Sequence, residues 1–461
     1  MQKHKQIPSA NKFHVPEFVV FIINKLETAG HQAYIVGGAV RDFCLERPIL
    51  DWDIATSAPS KDIRGIFHDT NHFALKHDTV TLVDSGHHFE VTTFRGDRNS
   101  LHKDLAHRDF TFNAMSFNMS TGEIIDPNGG EQDIARKLVR TVGSPRARFR
   151  EDPLRLLRAV RFATELGFKI HGKTFKGLIN PAPSLDSVSP ERIREELIRI
   201  LMSPKPSTGF NLLVRTGLLR QFLPELLEGY RKRQNACHRF TIFKHIIQTV
   251  EMVKPTLILR LTALLHDVAK PRVRKKVDGK WIFHGHENTS SILAGEIMHR
   301  LKFSRNIINK VTNLIRNHMV GYDSSWSDAA VRRLIRRAGP EDIMDLIALH
   351  RADILAHGFL PSSVSKRQKF SSGMNKPDKL NLLYELEQRV KDQINSAMPT
   401  RTRDLAIDGN MVMEILGLSP GPEVGNILSC LMEKIIDHPL LNNKKQLTAI
   451  LENRPEIGLS P

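Results

Sequence analysis

Two aspartates separated by a single residue, Asp51 and Asp53, follow a glycine pair, Gly37 and Gly38, in the stretch YIVGGAVRDFCLERPILDWD. Side chains alternate between the faces of a strand, so Asp51 and Asp53 are expected to project together while Trp52 packs. Neighbouring carboxylates repel unless a cation lies between them, and Mg²⁺ pairs a few carboxylates with substrate phosphates. Glycine lets backbone approach a phosphate closely, and amides at a helix start favour anions. Phosphate beside a two-carboxylate metal site is the layout for in-line phosphoryl or nucleotidyl transfer. D-x-D alone is common in loops and GG alone is a turn; their order in a strand, turn, helix, strand pattern carries the reading. Arg41, in the short helix after the glycines, joins them as a nucleotide-binding candidate.

Glu90 lies among apolar and β-branched neighbours in HHFEVTTFR and offers a third metal ligand, an ordinary exposed strand glutamate being the alternative. In HRDFTFNAMSFN, Arg108 has the planar fork that pairs with phosphate oxygens, Asp109 can accept a ribose hydroxyl, and Asn113 follows one turn later. A plain Arg–Asp surface pair is the competing view. In REDPLRLLRAVRF, Asp152, Arg155, Arg158 and Arg161 recur every third residue, so they are expected on one side of a helix with Leu156, Leu157 and Val160 behind. An acceptor (Asp152) beside a donor fork (Arg155) matches the edge of cytosine or adenine, which present an amino donor next to a ring-nitrogen acceptor. Guanine and uracil present the reverse and would leave buried groups unpaired. Arg158 and Arg161 remain for phosphates. A solvated basic helix face is the other reading.

A second constellation lies in residues 235–353: His245, the doublet His266–Asp267, His286, His318 and Asp353. Histidines and aspartates converging from several helices bind one or two divalent metals.

These residues need a scaffold. Residues 16–140 alternate helical and strand patterns, with TVTLVDSG and HHFEVTTFR as paired strands, FVVFII as the buried face of a helix, and a last strand near residue 139 closing a mixed sheet. Beyond about residue 145 strand patterns almost vanish. The fold class is α+β: a head (16–144), a helical neck with the expected base-reading helix (145–230), a helical body (231–360) and a helical tail (379–461). PRVRKKVDGK (271–280) reads as an exposed loop, Arg332, Arg333, Arg336 and Arg337 as an RNA-backbone stripe or a solvated face, and 361–378 as a Ser/Lys-rich connection.

The 461 residues carry 67 Lys plus Arg against 50 Asp plus Glu, a net charge of +17, which points to a polyanionic partner. No apolar run is long enough to span a bilayer, so no membrane role is expected. Three scattered cysteines (Cys44, Cys237, Cys430) imply a reducing, cytoplasmic setting.

In series, GGAVRD (37–42), DWD (51–53), EVTTFR (90–95), HRDFTFNAM (107–115), EDPLRLLRAVRF (151–162), ERIREEL (191–197) and LAIDGNMVMEILGLSPGPEVGNIL (405–428) closely resemble the bacterial-type (class II) tRNA nucleotidyltransferases, the CCA-adding enzymes, and the related bacterial poly(A) polymerases. The resemblance implies a polymerase-β-like head with two Mg²⁺ on Asp51 and Asp53, a protein template of Asp152 and Arg155 that accepts CTP and ATP, ribose recognition by Arg108 and Asp109, and a neck, body and tail that hold tRNA. The helical constellation resembles the HD-domain phosphohydrolases, which implies a divalent transition metal on His245, His266, Asp267 and Asp353, with His286 and His318 lining the site or holding a second ion. Two departures stand out. His107 occupies a position where the family usually has arginine, and the stretch 96–107 (GDRNSLHKDLAH) is much shorter than the family's flexible loop for switching from CTP to ATP. Members that add only CC tend to lack that loop, so the resemblance implies either CC addition, with a separate enzyme supplying the A, or CCA addition with a weak A step. A poly(A) polymerase, an HD phosphohydrolase with an RNA-binding head, and a structural RNA-binding protein are the rival functions.

Overall fold

The computed structural model describes residues 13–74, 78–96, 100–179, 185–234, 240–357, 376–396, 399 and 401–453. The chain divides between Phe222 and Leu223 into two compact units.

The first unit is built on a seven-stranded sheet of β1 (Ala33–Val36), β2 (Trp52–Thr56), β3 (His72–Ala74), β4 (Thr79–Asp84), β5 (His87–Thr93), β6 (Ser116–Asn118) and β7 (Glu123–Ile125), in the order β3-β4-β5-β2-β1-β6-β7. Only β2 and β5 run parallel; every other pair is antiparallel. β4 and β5 meet at Ser85 and Gly86, both at positive φ (49° and 80°), as a tight hairpin turn with matched twist requires. The helix Glu17–Thr28 buries Val19, Ile22, Ile23 and Leu26, so the apolar run 18–23 is core, as its periodicity predicts.

β8 (Leu138–Val139) does not close this sheet. It pairs in parallel with β9 (Lys169–Ile170), a two-residue strand after Gly167 ends the helix Leu154–Leu166 at φ 67°. That helix is tied to the head by aromatic packing: Phe162 meets Phe110 and Phe112 edge-on, with centroids 5.6 Å and 5.2 Å away. The helix Leu154–Leu166 and the segment 109–113 therefore share one core.

The second unit is helical among its described residues, apart from one hairpin. The run 271–280 is not a loop: β10 (Lys275–Val277) and β11 (Lys280–Ile282) pair antiparallel around Asp278–Gly279, a dipeptide suited to the positive φ of 48° and 75° found there. Leu314, Val331, Leu334, Ile335, Leu346, Ile347, Leu386 and Val390 form one core, and Val412, Ile427, Leu431, Ile435, Leu447 and Leu451 another. Of the four stripe arginines only Arg332 is buried; Arg336 is half-buried, and Arg333 and Arg337 are exposed, as the solvated-face alternative expects. Arg332 donates to the Ile436 carbonyl (2.6 Å) and to Gln393 Oε1 (2.9 Å), Arg333 pairs with Asp437 (2.7 Å), and Arg336 pairs with Glu433. These contacts join the helices Asp328–Ala338 and Pro422–Asp437. No helix among the described residues is long and apolar enough to cross a membrane. Most of the 361–378 connection, Cys237 and the last residues of the tail lie outside the described residues.

Candidate active site

β2 sits between antiparallel β1 and parallel β5, and the register makes Asp53 the neighbour of Val36 on one side and of Glu90 on the other. Glu90 is thereby brought beside Asp53 by sheet topology. Asp51 precedes the strand, whose first residue is Trp52, and is exposed; its charge still bears on both other acids. Burial pushes the Asp53 carboxyl up, and the Asp51 charge adds to it against the opposing pull of Arg108. Glu90 is exposed on the face of β5, as the strand-glutamate alternative expects, and partial desolvation with Asp53 and Asp51 pushes its carboxyl up. Hard carboxylate oxygens on Asp53 and Glu90, with the Asp51 charge nearby, are the donor type that magnesium takes, although the oxygens of the three acids do not all lie within 4.8 Å of one another.

Gly37 (φ 72°) lies against this cluster: a Cβ there would fall 3.1 Å from Arg108 Nη1 and 3.3 Å from Asp53 Oδ2, so only glycine keeps the cradle open. Gly37, Gly38, Asp53, Glu90, Arg95, Arg108, Asp109, Asn113, Asp152, Arg155, Arg158 and Arg192 line one polar cavity of about 350 Å³. Nine charged side chains in a single cavity suit a polyphosphate with metal rather than an apolar ligand.

Each charged group is held from behind. Arg108 donates through Nε to Asp104 Oδ2 (3.0 Å), and the buried Asp104 also accepts the Arg95 N–H (3.1 Å). Asp109 accepts from Phe110 N–H (2.8 Å), from Asn113 Nδ2 (3.3 Å) and from Arg158 Nε (2.7 Å). Burial alone would raise the Asp109 carboxyl, but the Arg158 guanidinium and these donors hold it at about 2. Asp152 accepts the Leu154 N–H on Oδ1 (3.1 Å) and Arg192 on Oδ2 (2.8 Å). Arg155 donates to Glu151 Oε2 (2.8 Å) and to the His107 carbonyl (3.0 Å). With no nucleotide bound, Asp152 and Arg155 are thus each engaged by another partner.

Two expected nucleotide-binding residues are placed elsewhere. Arg41 does not line the cavity; it donates to Asn113 Oδ1 (2.8 Å) and to Asp42 (2.7 Å), bracing the site from outside. Arg161 is 1% exposed and pairs through Nε with Glu196 Oε2 at 2.7 Å. The reason is helical geometry: a residue advances about 100° around the axis, so steps of three drift by about 60° each and Arg161 is carried about 120° away from Arg155. Replacing Glu196 by alanine leaves the buried Arg161 guanidinium with Glu165 alone (3.3 Å) and is expected to lower the midpoint of urea unfolding. Arg95, Arg192 and Asp104 were not singled out from sequence. Arg95 ends the strand segment that carries Glu90, which is the one local signal for it.

The second constellation also assembles. His245 Nε2 lies 2.8 Å from Asp353 Oδ1, and Asp267 receives His266 (3.3 Å) on one oxygen and His286 (3.3 Å) and His318 (3.8 Å) on the other. Lys270 Nζ is 2.6 Å from Asp267 Oδ2. Burial works to raise the Asp267 carboxyl, yet His266 and Lys270 hold it well below the usual range. His266 Nε2 and Asp267 Oδ1 are buried and make no hydrogen bond of sound geometry, although both face the cluster. A mixed nitrogen and carboxylate donor set with such atoms left over fits a divalent transition ion.

Comparison with known proteins matches this division of labour. Family profiles described as the poly A polymerase head domain, the probable RNA- and SrmB-binding site of polymerase A, the HD domain and a putative tRNA nucleotidyltransferase domain 2 match residues 33–140, 167–229, 234–358 and 377–451. The chain is 31% identical over 473 residues to a CCA-adding enzyme of Limosilactobacillus reuteri (strain DSM 20016), with 99% of each chain covered. It is 33% identical to the A-adding tRNA nucleotidyltransferase of Deinococcus radiodurans over 87% of this chain and 91% of that one. The match to the Geobacillus thermodenitrificans CCA-adding enzyme is 44% identical but spans only 48% of this chain and 57% of the relative. The crystal structure of the Bacillus stearothermophilus CCA-adding enzyme with CTP superposes with a TM-score of 0.68 at 27% identity, covering 96% and 98% of the two chains. The chain belongs to the bacterial-type (class II) family of tRNA nucleotidyltransferases and poly(A) polymerases, as a nucleotidyltransferase that carries an HD domain.

Proposed function

We propose that this enzyme extends the 3′ end of tRNA with cytidylate, and more slowly with adenylate, using CTP and ATP. The observation that supports it is the in-register pair Asp53–Glu90 opening into the same cavity as Asp152 and Arg155. Asp51, Asp53 and Glu90 would hold two magnesium ions, which when bound neutralise triphosphate charge and favour in-line attack by the RNA hydroxyl. Arg95, Arg108 and Arg158 supply guanidinium forks toward the phosphates. Asp152 and Arg155 offer the acceptor and donors that match cytosine and adenine, once Arg192 and Glu151 give up or share their bonds.

The slower A step rests on the brief stretch between Arg95 and Arg108, which carries the helix Leu101–Ala106; its residues Asp97–Asn99 lie outside the described residues. Incubation of tRNA lacking CCA with CTP and ATP is expected to add two C residues rapidly and the terminal A slowly, so that a separate A-adding enzyme would finish the end. Equally rapid A addition would remove the CC preference, and long A tails on generic RNA would make the enzyme a poly(A) polymerase instead.

The HD cluster supports a second activity, hydrolysis of 2′,3′-cyclic or terminal phosphates that block an RNA end. Asp267→Ala is expected to abolish phosphoester hydrolysis and leave CTP incorporation intact. Unchanged hydrolysis in that variant would remove the cluster from the reaction.

A further inference from the structure

We infer that His357, at the C-terminal end of the helix Ile343–Ala356, is an additional ligand of the metal ion in the HD cluster, approaching from the side of the cavity. The inference rests on the reading of that cluster as a metal centre.

Three sets of potential ligand atoms lie within 4.8 Å of one another: His245, His266 and Asp267; Asp267, His286 and His318; and His245, Asp353 and His357. His357 thus shares two partners, His245 and Asp353, with the remainder of the cluster. It follows Asp353 by four residues, so the two stand on one helix face. The orientation of the ring is the stronger argument. His266, His286 and His318 each direct Nδ1 to a backbone carbonyl three residues back (Ala263 at 2.9 Å, Phe283 at 2.8 Å, Ile315 at 2.7 Å). An Nδ1–H donated to a carbonyl fixes the tautomer and leaves Nε2 as the lone-pair donor, the arrangement metal-binding imidazoles use. His357 is wired the same way, with Nδ1 at 2.6 Å from the Asp353 carbonyl, and its ring centroid is 5.1 Å from that of His245.

His357 also lines a cavity of about 510 Å³ together with Lys270, Tyr322, His350 and Asp353. A histidine that only capped its own helix would have no reason to converge with Asp353 and His245.

The test titrates Co²⁺ into the purified full chain, comparing the natural protein with His357→Ala, His357→Gln and Asp267→Ala by calorimetry and visible absorption. Binding present in the natural protein and absent in Asp267→Ala defines the HD site, because the head site is common to both. Both His357 variants are expected to bind Co²⁺ at that site about 10- to 100-fold more weakly. Their d–d absorption should change as a nitrogen ligand is lost, and free imidazole should restore the alanine variant. Melting temperature and magnesium-dependent CTP incorporation should stay at natural levels. Unaltered affinity and spectrum in both variants would overturn the assignment of His357 alone. Equal Co²⁺ binding by the natural protein and Asp267→Ala would overturn the metal centre and His357 with it.

Discussion

Replacement of Asp53 by asparagine is expected to reduce incorporation of labelled CTP at least about 1,000-fold while the protein stays folded. Charge neutralisation by a bound metal is worth several kcal/mol in the transition state, and about 4 kcal/mol corresponds to three powers of ten in rate. Asp53 is the acid best placed to supply this, between Gly37 and Glu90 in the sheet and on the cavity wall. The stability readout separates this loss from misfolding. Burial and Asp51 raise the Asp53 carboxyl above its ordinary value, so its ionisation destabilises the folded state as pH rises past the unfolded value of 3.8. At neutral pH and without magnesium, the asparagine variant is therefore expected to melt at the same temperature or higher. Undiminished CTP incorporation would remove the head acids from catalysis. A fall in melting temperature with the loss of activity would assign the effect to folding.

The second large effect concerns base choice. Asp152→Ala is expected to collapse the preference for CTP and ATP over UTP and GTP from the order of 10⁴ to within about tenfold, measured as single-nucleotide incorporation on one RNA primer. A site built to pair with a particular donor–acceptor edge rejects the wrong edge by leaving buried groups unpaired, and this reaches about 10⁴–10⁵. On the proposed reading Asp152 supplies the acceptor for that edge; its Oδ1 is anchored by the Leu154 N–H, so the carboxylate has a fixed direction in the cavity. With alanine there, nothing penalises a base that presents a carbonyl in place of an amino group. Retained selectivity in the variant would mean that another group reads the base.

The helical half and the head were legible from sequence for different reasons. Local periodicity marks FVVFII as a buried helix face and TVTLVDSG with HHFEVTTFR as a hairpin, because these signals live within a few residues. Glu90 could not be resolved from an exposed strand glutamate locally. What makes it a site residue is the parallel pairing of β2 with β5, a contact between distant segments. The opposite failure occurred at Arg161, where spacing by threes looks like one stripe although successive members drift toward the Glu196 side. Arg95, Arg192 and Asp104 escaped notice because a buried brace or a cavity wall is defined by what packs across from it. The buried Arg332 beside the exposed Arg333 shows the same limit: a basic run has the same composition whether a given member faces solvent or packs against another helix. His357 was accessible in principle through its four-residue offset from Asp353.

The meeting of Asp53 with Glu90 across parallel strands has a bearing on how the head matures. Hairpins such as β4–β5 zip up locally, whereas β2 and β5 join only after the intervening helix Ser60–Ile66 and strands β3 and β4 have closed their crossover. If magnesium is bound as proposed, a nascent chain would lack its pocket until β2 and β5 have joined, and the ion would stabilise the completed head by relieving the repulsion between Asp53 and Glu90.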